Sequence, residues 1–355
     1  MHEILNDFFG NELIALIIAA ALPLVFIVPY VMLAVYLERK VSAHVQDRLG
    51  PMRVGWHGSL QLIADFLKLV QKEDIIADNN DKKLFNLAPV LTFAGAYGAY
   101  AVLPWSSAYI GSNADVGVFF LIAISSLAVA GILMGGWASN NKYSLLGAMR
   151  SAAQIVSYEI PSAIVILSIV MITGTLSLAE MSEMQTGYFW NWTIFGGAEF
   201  GLTKFLFIPF MFVAFIIMYI SSLAEVNRTP FDMPEAESEL VAGYSTEYSG
   251  MKFAMFFLAE YANMFAVSAL VTVLFFGGYQ SPFGYLGNLL GIEWLVPIEQ
   301  LFWFCTKGIL FVVVQIWLRW TLPRVRVDQL MALCWKYLIP YALINLIIIG
   351  IITLL

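Results

Sequence analysis

The stretch LIALIIAAALPLVFIVPYVMLAVYL, residues 13–37, decides the fold class: it contains no charged side chain and is followed at once by Glu38-Arg39-Lys40. A helix needs about 20 mostly apolar residues to cross a hydrocarbon layer roughly 30 Å thick, and such a helix satisfies its own backbone hydrogen bonds. The rest of the chain is similar, since 60% of its 355 residues are apolar and only 12% are charged. Soluble domains usually carry about 25% charged residues. The sequence therefore predicts an all-α polytopic membrane protein.

Eight apolar stretches are long enough to cross the membrane, and their continuous runs favour helices over barrel strands. Basic side chains are retained on the inner side of the membrane. All but two of the 18 Lys and Arg residues, the exceptions being Lys204 and Lys307, lie in or immediately beside alternate connections. We therefore expect one membrane domain over 1–355, with the N-terminus and the C-terminus outside. The predicted helices are 13–37, 85–105, 116–138, 153–174, 205–224, 253–276, 301–320 and 337–355, and the inner connections are 38–84, 139–152, 225–252 and 321–336.

Several classes of cofactor and partner do not fit the composition. The two cysteines, Cys305 and Cys334, are too few for an iron–sulfur cluster, which normally takes four thiolates. The three histidines, His2, His44 and His57, all fall outside the apolar stretches, so a haem buried between helices is not expected. No Gly-rich dinucleotide or phosphate loop is present, so no flavin site is expected either. The formal charge of −7 argues against a nucleic-acid partner.

The first inner connection, 38–84, is the longest and the most basic. Apolar residues recur at helical spacing between 60 and 70, with polar residues such as Gln61 on the other faces. This pattern predicts short interfacial helices at the membrane surface, the clearest of them in that segment. Gly50-Pro51 and Gly58 permit tight turns just before it. Lys40 is interpreted as an ordinary basic anchor at the inner end of the first helix.

Three acidic residues, Glu159, Glu225 and Glu260, stand inside or at the ends of apolar stretches, toward the inner side. A charge in the middle of a membrane costs roughly 2.5–3.5 kcal/mol on insertion scales, so such residues are candidates for function. Carboxyl groups that share a low-dielectric site can pass protons between them. Two interpretations stay open for each residue: it belongs to a proton relay, or it pairs with an arginine or reaches the membrane surface.

The third inner connection is an acidic loop that begins EVNRTPFDMPEAESELV at Glu225, with Arg228 as the base nearest to its carboxylates. Like charges this close repel each other unless solvent, a partner's bases or protonation relieves them. A solvated acidic loop is one interpretation. The interleaved prolines and apolar residues favour a packed, functional loop instead. Its further acidic residues are Asp232, Glu235, Glu237, Glu239 and Glu247.

Taken together, these segments resemble the quinone-tunnel membrane subunit, the H subunit, of complex I, the proton-pumping NADH:quinone oxidoreductase. The resemblance covers most of the chain, and so many motifs in the same order are highly specific. The matching segments are Glu38-Arg39-Lys40, 48–65, Ala153-Gln154, Ser157-Tyr158-Glu159, 225–241, Ala259-Glu260-Tyr261 with Asn263, Pro323-Arg324, Arg326, Asp328-Gln329-Leu330-Met331 and Trp335-Lys336.

The resemblance implies that the inner connections wall a tunnel through which ubiquinone or menaquinone enters from the bilayer. Electrons would come from iron–sulfur and quinone-site peripheral subunits, and antiporter-like membrane subunits would be the lateral partners in the bacterial inner membrane. The chain itself would bind no haem, flavin or cluster. By similarity, quinone-path residues are Glu38, Arg39, Arg48, Asp65 and Lys68, and the proton route begins with Glu159, Glu225, Glu260 and the acidic loop.

The first connection departs from the family pattern at Met52, at Gly55-Trp56 and at Leu62. These departures bear on the local shape of the tunnel entrance. Two other functions remain as alternatives. One is the related subunit of a membrane-bound hydrogenase, which the complete first connection disfavours. The other is a stand-alone ion carrier, which the lack of an internal repeat disfavours.

Overall fold

The computed structural model describes residues 12–197, 204–234 and 237–354. Within these ranges every regular element is helical, apart from two isolated backbone bridges, Pro104 with Ile110 and Tyr188 with Phe283. The helices are α1 (Glu12–Val45), α2 (Gln61–Gln71), α3 (Lys82–Ala99), α4 (Gly117–Ala138), α5 (Lys142–Thr173), α6 (Leu178–Met184), α7 (Lys204–Glu225), α8 (Glu237–Leu240), α9 (Gly250–Phe275), α10 (Leu286–Leu290), α11 (Val296–Thr321), α12 (Val327–Ala332) and α13 (Ile339–Leu354). A π-helical turn, Leu333–Leu338, joins α12 to α13.

Seven helical segments in the described part of the chain are long and apolar enough to cross a membrane: α1, α4, α5, α7, α9, α11 and the continuous α12–α13. The all-helical prediction is confirmed. Eight spans were predicted, and the remaining stretch, 85–105, corresponds to α3. That helix has 18 residues, begins with Lys82-Lys83 and ends at Ala99, so its apolar part is shorter than those of the other seven.

Two helices extend beyond their apolar runs. α5 begins at Lys142, although the apolar run starts near 153, because the Asn141 side chain accepts a hydrogen bond from the Tyr143 amide at 2.9 Å and caps the helix. α12 and the π-helical turn likewise fill most of the predicted connection 321–336. Pro340 follows this turn and cannot donate to the carbonyl one turn earlier, which accounts for the locally widened helix. Most of these two inner connections is therefore helical.

α9 is the central helix of the bundle. It packs against α1, α3, α7 and α11, and nearly every side chain from Ala262 to Phe275 is buried. α5 is a second centre, since it contacts α4, α7 and α13. The candidate acids Glu159 and Glu260 lie on these two helices, so their positions are determined by contacts on several sides.

α3 and α4 form the closest helix pair, and small residues allow the approach. A Cβ atom added at Gly131 would lie 2.8 Å from the Thr92 amide nitrogen, and one added at Gly95 would lie 2.9 Å from the Ala128 amide nitrogen. Small residues at such positions let helix backbones pack closely in membranes. This contact fixes the α4 face that carries Ser125 and Ser126 next to the buried acids.

Candidate functional site

A buried carboxylate, Glu38, lies at the centre of the candidate site near the inner end of α1, with 7% of its surface exposed. The Arg319 guanidinium contacts one oxygen of Glu38, and Arg228 Nη1 lies 3.4 Å from the other. The Tyr261 hydroxyl donates a hydrogen bond of 2.5 Å to the same carboxylate. Two cations and a phenol thus compensate the burial of one anion, and the group brings α1, α9, α11 and the acidic loop together.

Arg228 extends this group to a second acid. Its Nε atom lies 3.0 Å from Glu260 Oε1, and its guanidinium stands over the Tyr261 ring at 4.4 Å. Burial lowers the pKa of Arg228, but Glu260, Tyr261 and Glu38 together raise it above its ordinary value, so the guanidinium keeps its charge. We call Glu38, Arg228, Glu260, Tyr261 and Arg319 the charge hub.

Local backbone contacts explain why the loop delivers Arg228 to this place. α7 ends at Glu225, and the Arg228 amide donates back to the Leu223 carbonyl at 3.2 Å. Gln154 of α5 donates to the Ala224 carbonyl at 2.8 Å, which satisfies a helix-end acceptor. Farther along the loop, Asp232 forms an ion pair of 3.1 Å with Arg324. The first part of the acidic loop is therefore packed and anchored, as one of the two interpretations of the sequence proposed.

Glu225 and Glu260 line one small cavity between α3, α4, α7 and α9. Its volume is about 40 Å³, and Thr92, Ser125 and Asn263 also line it. To hold one water molecule, a cavity needs about 10–15 Å³, the volume of one water-sized sphere. The space is large enough, and polar enough, for water to connect the two carboxyl groups.

Glu159 contacts the same part of α4 that lines this cavity. Its Oε1 atom accepts a hydrogen bond of 3.1 Å from the Ser126 hydroxyl, and the adjacent Ser125 lines the cavity with Glu225. The consecutive serines of α4 therefore stand between Glu159 and Glu225. Of the three acids, Glu260 pairs with an arginine, whereas the contacts of Glu159 and Glu225 are with hydroxyl-bearing residues and the cavity.

The other loop acids whose side chains the structure describes, Asp232, Glu239 and Glu247, do not line this cavity. Glu239 forms an ion pair of 2.6 Å with Arg150, and 59% of the Glu239 side chain is exposed. Glu247 accepts a hydrogen bond of 2.7 Å from Asn141 at the start of α5. Glu235 and the side chain of Glu237 lie outside the described part of the structure. Of these further loop acids, Asp232 lies near enough to the charge hub to interact electrostatically with Glu260, and it also pairs with Arg324.

The first connection places two of the predicted quinone-path residues in contact. Arg39 Nη1 lies 2.6 Å from Asp65 Oδ2, and their side chains are 40% and 32% exposed. Gln61 holds the other Asp65 oxygen at 3.1 Å, so the end of α1 is joined to α2. Lys68 and Arg48 have exposed side chains. All side chains of α2 are at least partly exposed, as expected for a helix with one face toward a membrane or a partner.

Lys40 is not only a basic residue at the end of α1, because its side chain also contacts the following loop. Its Nζ atom donates to the Pro51 carbonyl at 2.9 Å and contacts Met52 Sδ at 3.2 Å, so it holds the turn that follows Gly50. Gly58, with a φ of 80°, closes the same loop, and a Cβ atom there would lie 2.6 Å from the Pro51 carbonyl carbon. Met52, one of the departures from the family pattern, is thus part of the loop's internal contacts.

Sequence reasoning did not foresee Arg319 or the pairing role of Arg228. From the sequence, Arg319 is only one of the inner-side basic residues, and Arg228 is the base nearest to the loop carboxylates, with nothing to link it to Glu38. A usable signal was that Glu38, at the inner end of an apolar run, needs compensating charge if it is buried. Within the described residues, no group of three His, Cys, Asp or Glu side chains could hold a metal ion.

Comparison with known proteins agrees with the architecture. A model of the NADH dehydrogenase family matches residues 18–350. The NADH-quinone oxidoreductase H subunit of Chlorobaculum tepidum is 52% identical over 342 residues, which is 95% of this chain and 92% of the relative. The corresponding protein of Chlorobium luteolum is 53% identical over 340 residues, with 95% and 89% of the two chains covered. An H subunit of Cytophaga hutchinsonii is 48% identical over 351 residues, covering 92% and 96%. With a family match along nearly its whole length and relatives of this similarity, the chain, a multi-pass membrane protein, belongs to the family of NADH-quinone oxidoreductase H subunits.

Proposed function

We propose that this chain is the membrane subunit that lines the quinone-access path of a proton-pumping NADH-quinone oxidoreductase. The observation that carries the proposal is made at the C-terminal end of α1, where two consecutive residues contact different parts of the molecule. Glu38 is buried in the charge hub, and Arg39 is half-exposed on Asp65 of α2. A molecule moving along the first connection would therefore pass next to a buried network of charges. The proposed quinone-path residues are Glu38, Arg39, Arg48, Asp65 and Lys68.

Donor groups suit the two carbonyl oxygens of a quinone, because guanidinium and ammonium groups only donate hydrogen bonds. Reduction of a quinone to a quinol takes up two electrons and two protons, and both molecules are neutral. The charge of the path therefore changes when the electrons arrive before the protons, or when residues of the path supply the protons. In a low-dielectric site a nearby charge shifts protonation equilibria strongly. Arg228 contacts both Glu38 and Glu260. A change of charge near Glu38 would therefore reach Glu260 through Arg228.

The proton route would then run through Glu260, the cavity, Glu225 and, past the two serines, Glu159. The supporting geometry is the shared cavity of Glu225 and Glu260 and the Ser126 contact of Glu159. The acidic loop supplies the remaining proposed proton-route residues. These are Asp232, Glu235, Glu237, Glu239 and Glu247.

We further propose that α3 crosses the membrane as an eighth span, with both chain termini outside and one membrane domain over 1–355. In the bacterial inner membrane, the inner face would meet iron–sulfur and quinone-site peripheral subunits, and the lateral faces would meet antiporter-like subunits and lipid. The chain acts as an enzyme subunit without a redox centre of its own, and quinone is the substrate. Basic residues in alternate connections support this orientation.

Substitution of the exposed pair tests the quinone path without disturbing the buried hub. Because a solvent-exposed ion pair is worth about 0–1 kcal/mol, Arg39→Ala and Asp65→Asn should leave assembly intact. Both variants should lower quinone reductase activity several-fold, by raising KM for quinone, while NADH oxidation by an artificial acceptor is retained. Glu180→Gln, at an exposed acid hydrogen-bonded to Thr175, is the matched control and should change neither activity.

Equal loss of both activities in a fully assembled complex would contradict a role in the quinone path. The same preparation identifies the partner subunits. Co-purification with flavin- and nucleotide-binding subunits supports the proposal. A nickel–iron subunit in their place would favour the hydrogenase alternative.

A further inference from the structure

A proline, Pro161, lies inside α5 two residues beyond Glu159. In an α-helix the amide of residue 161 would donate to the carbonyl of residue 157, but Pro161 has no N–H to donate. The Ser157 carbonyl therefore loses its helical partner at a residue that is 6% exposed. In a membrane interior, such a freed carbonyl must be satisfied by another part of the protein.

The partner is a thiol from the far end of the chain. Cys334 Sγ donates to the Ser157 carbonyl at 3.1 Å, and Cys334 is fully buried in the π-helical turn. The next residue is tied to the same segment, because the Tyr158 hydroxyl donates to the Leu330 carbonyl at 3.0 Å. Two consecutive residues directly before Glu159 are thus hydrogen-bonded to the segment formed by α12 and the π-helical turn.

That segment is also tied to the acidic loop. The Val325 amide donates to the Pro230 carbonyl at 3.1 Å, next to the Arg324–Asp232 ion pair. On the other side of the loop, the Phe231 ring contacts the Tyr158 ring with centroids 5.5 Å apart. The acidic loop and the part of α5 just before Pro161 therefore both contact the segment from 324 to 334.

We propose that Cys334 is a positioning residue that satisfies the Ser157 carbonyl left free by Pro161 in α5 and, with Tyr158, couples the position of Glu159 to the acidic loop. Displacement of the loop, when quinone occupies or leaves the path, would move the segment from 324 to 334 and with it the Ser157–Glu159 turn. The inference rests on the proposed function, because it gives the loop and Glu159 their parts in quinone reduction and proton transfer.

Hydrogen exchange of the purified complex in lipid nanodiscs measures the contact directly. In Cys334→Ala the amides of the α5 segment 157–165 should exchange about twofold to threefold faster, because a thiol is a weak donor and its bond lies at the low end of the net range for hydrogen bonds. Cys334→Ser keeps a donor on a shorter side chain and should exchange at close to the wild-type rate. Cys305→Ala, which removes the other thiol, on α11, should leave this segment unchanged.

Activity provides the second measurement. Quinone-reductase turnover and proton pumping should fall several-fold in Cys334→Ala and recover in Cys334→Ser, whereas a residue that only fills space would not distinguish a hydroxyl from a methyl group in this way. Unchanged exchange in Cys334→Ala, or equal acceleration in both Cys334 variants, overturns the assignment. So does normal pumping by Cys334→Ala in a complex whose Glu159→Gln variant is impaired.

The relay and the positioning role fail in distinguishable ways. Normal pumping by Glu159→Gln removes Glu159 from the proposed route and with it the coupling of Cys334 to proton transfer. The exchange rates of the Cys334 variants then decide whether the thiol stabilises this part of α5, since these rates do not depend on turnover.

Discussion

The charge hub allows one substitution to be assessed quantitatively, Glu260→Gln. In the native protein the two carboxylates, Glu38 and Glu260, balance the two guanidinium groups, Arg228 and Arg319. The Glu260 side chain is 17% exposed and that of Arg228 is 4% exposed, so the pair is buried. Removing one partner of a buried pair costs about 3–5 kcal/mol, because a charge is left without compensation. At about 1.4 kcal/mol per factor of ten, the folded bundle becomes roughly a hundredfold to a few thousandfold less favoured.

A second substitution should cost less than it would in the absence of the first. In the double variant Arg228→Gln/Glu260→Gln, Glu38 keeps Arg319 and the Tyr261 hydroxyl as partners, so the remaining hub is again balanced. We therefore expect a favourable coupling between the two substitutions, about 0.5–3 kcal/mol in a double-mutant cycle. Arg228→Gln alone should be destabilising as well, since it leaves two carboxylates and one guanidinium.

The assay is the fraction of complex that remains intact on native gels after stepwise heating of purified membranes. Glu239→Gln is the matched control, because it also removes one carboxylate from an arginine pair, but on the surface. An exposed pair of this kind contributes about 0–1 kcal/mol, so its melting curve should overlay that of the wild type. Heat resistance of Glu260→Gln equal to that of Glu239→Gln would refute the balanced-hub reasoning, as would a double variant whose loss of heat resistance equals the sum of the two single losses.

Two further predictions follow from the same geometry. Glu225→Gln should assemble and resist heat like the wild type, because Glu225 contacts a cavity and a serine-lined wall, yet quinone-reductase turnover should fall by about tenfold or more as a protonatable group is lost; wild-type pumping in the assembled variant would argue against the relay. Asn113→Cys, in an otherwise cysteine-free chain, should react with an impermeant thiol reagent from the outer side only, and reaction from the inner side only would contradict the proposed orientation.

The membrane class and most helices could be predicted from the sequence, because a span in lipid requires a long apolar run whatever its neighbours are. The same reasoning fails where helices leave the hydrocarbon layer. The inner part of α5 is polar and is stabilised by the Asn141 cap, so apolar counting begins that helix too late. α3 is the opposite case, since Lys82-Lys83 lower the hydropathy of a helix whose remaining residues pack closely on α4.

The candidate site could be predicted only in part, because the residues that form its ion pairs are far apart in the sequence. Isolated acids in apolar runs are visible in the sequence, and Glu225 and Glu260 do share a cavity. Their partners are not visible. Arg228 lies 190 residues from Glu38 and Arg319 lies 281 residues from it, so no local pattern indicates which base reaches which acid. The Cys334 contact is equally remote from Ser157, although Pro161 shows that some donor is needed there.

The distribution of charge along the three acid-bearing helices indicates a direction for the proposed proton route. The sequence holds no Asp or Glu in 160–179, 204–224 or 261–279, which are the stretches that continue from Glu159, Glu225 and Glu260 toward the outer side. At the C-terminal end of α9, basic and amide side chains satisfy the backbone carbonyls instead. Gln185 donates a hydrogen bond to the Val273 carbonyl at 2.8 Å, and Lys307 donates one to the Phe276 carbonyl at 2.7 Å. A proton on Glu225 or Glu260 therefore meets no further carboxyl group by moving outward along its own helix. The next acid within the bundle lies sideways, past the serines of α4, and this favours transfer in the plane of the membrane over transfer through this chain alone.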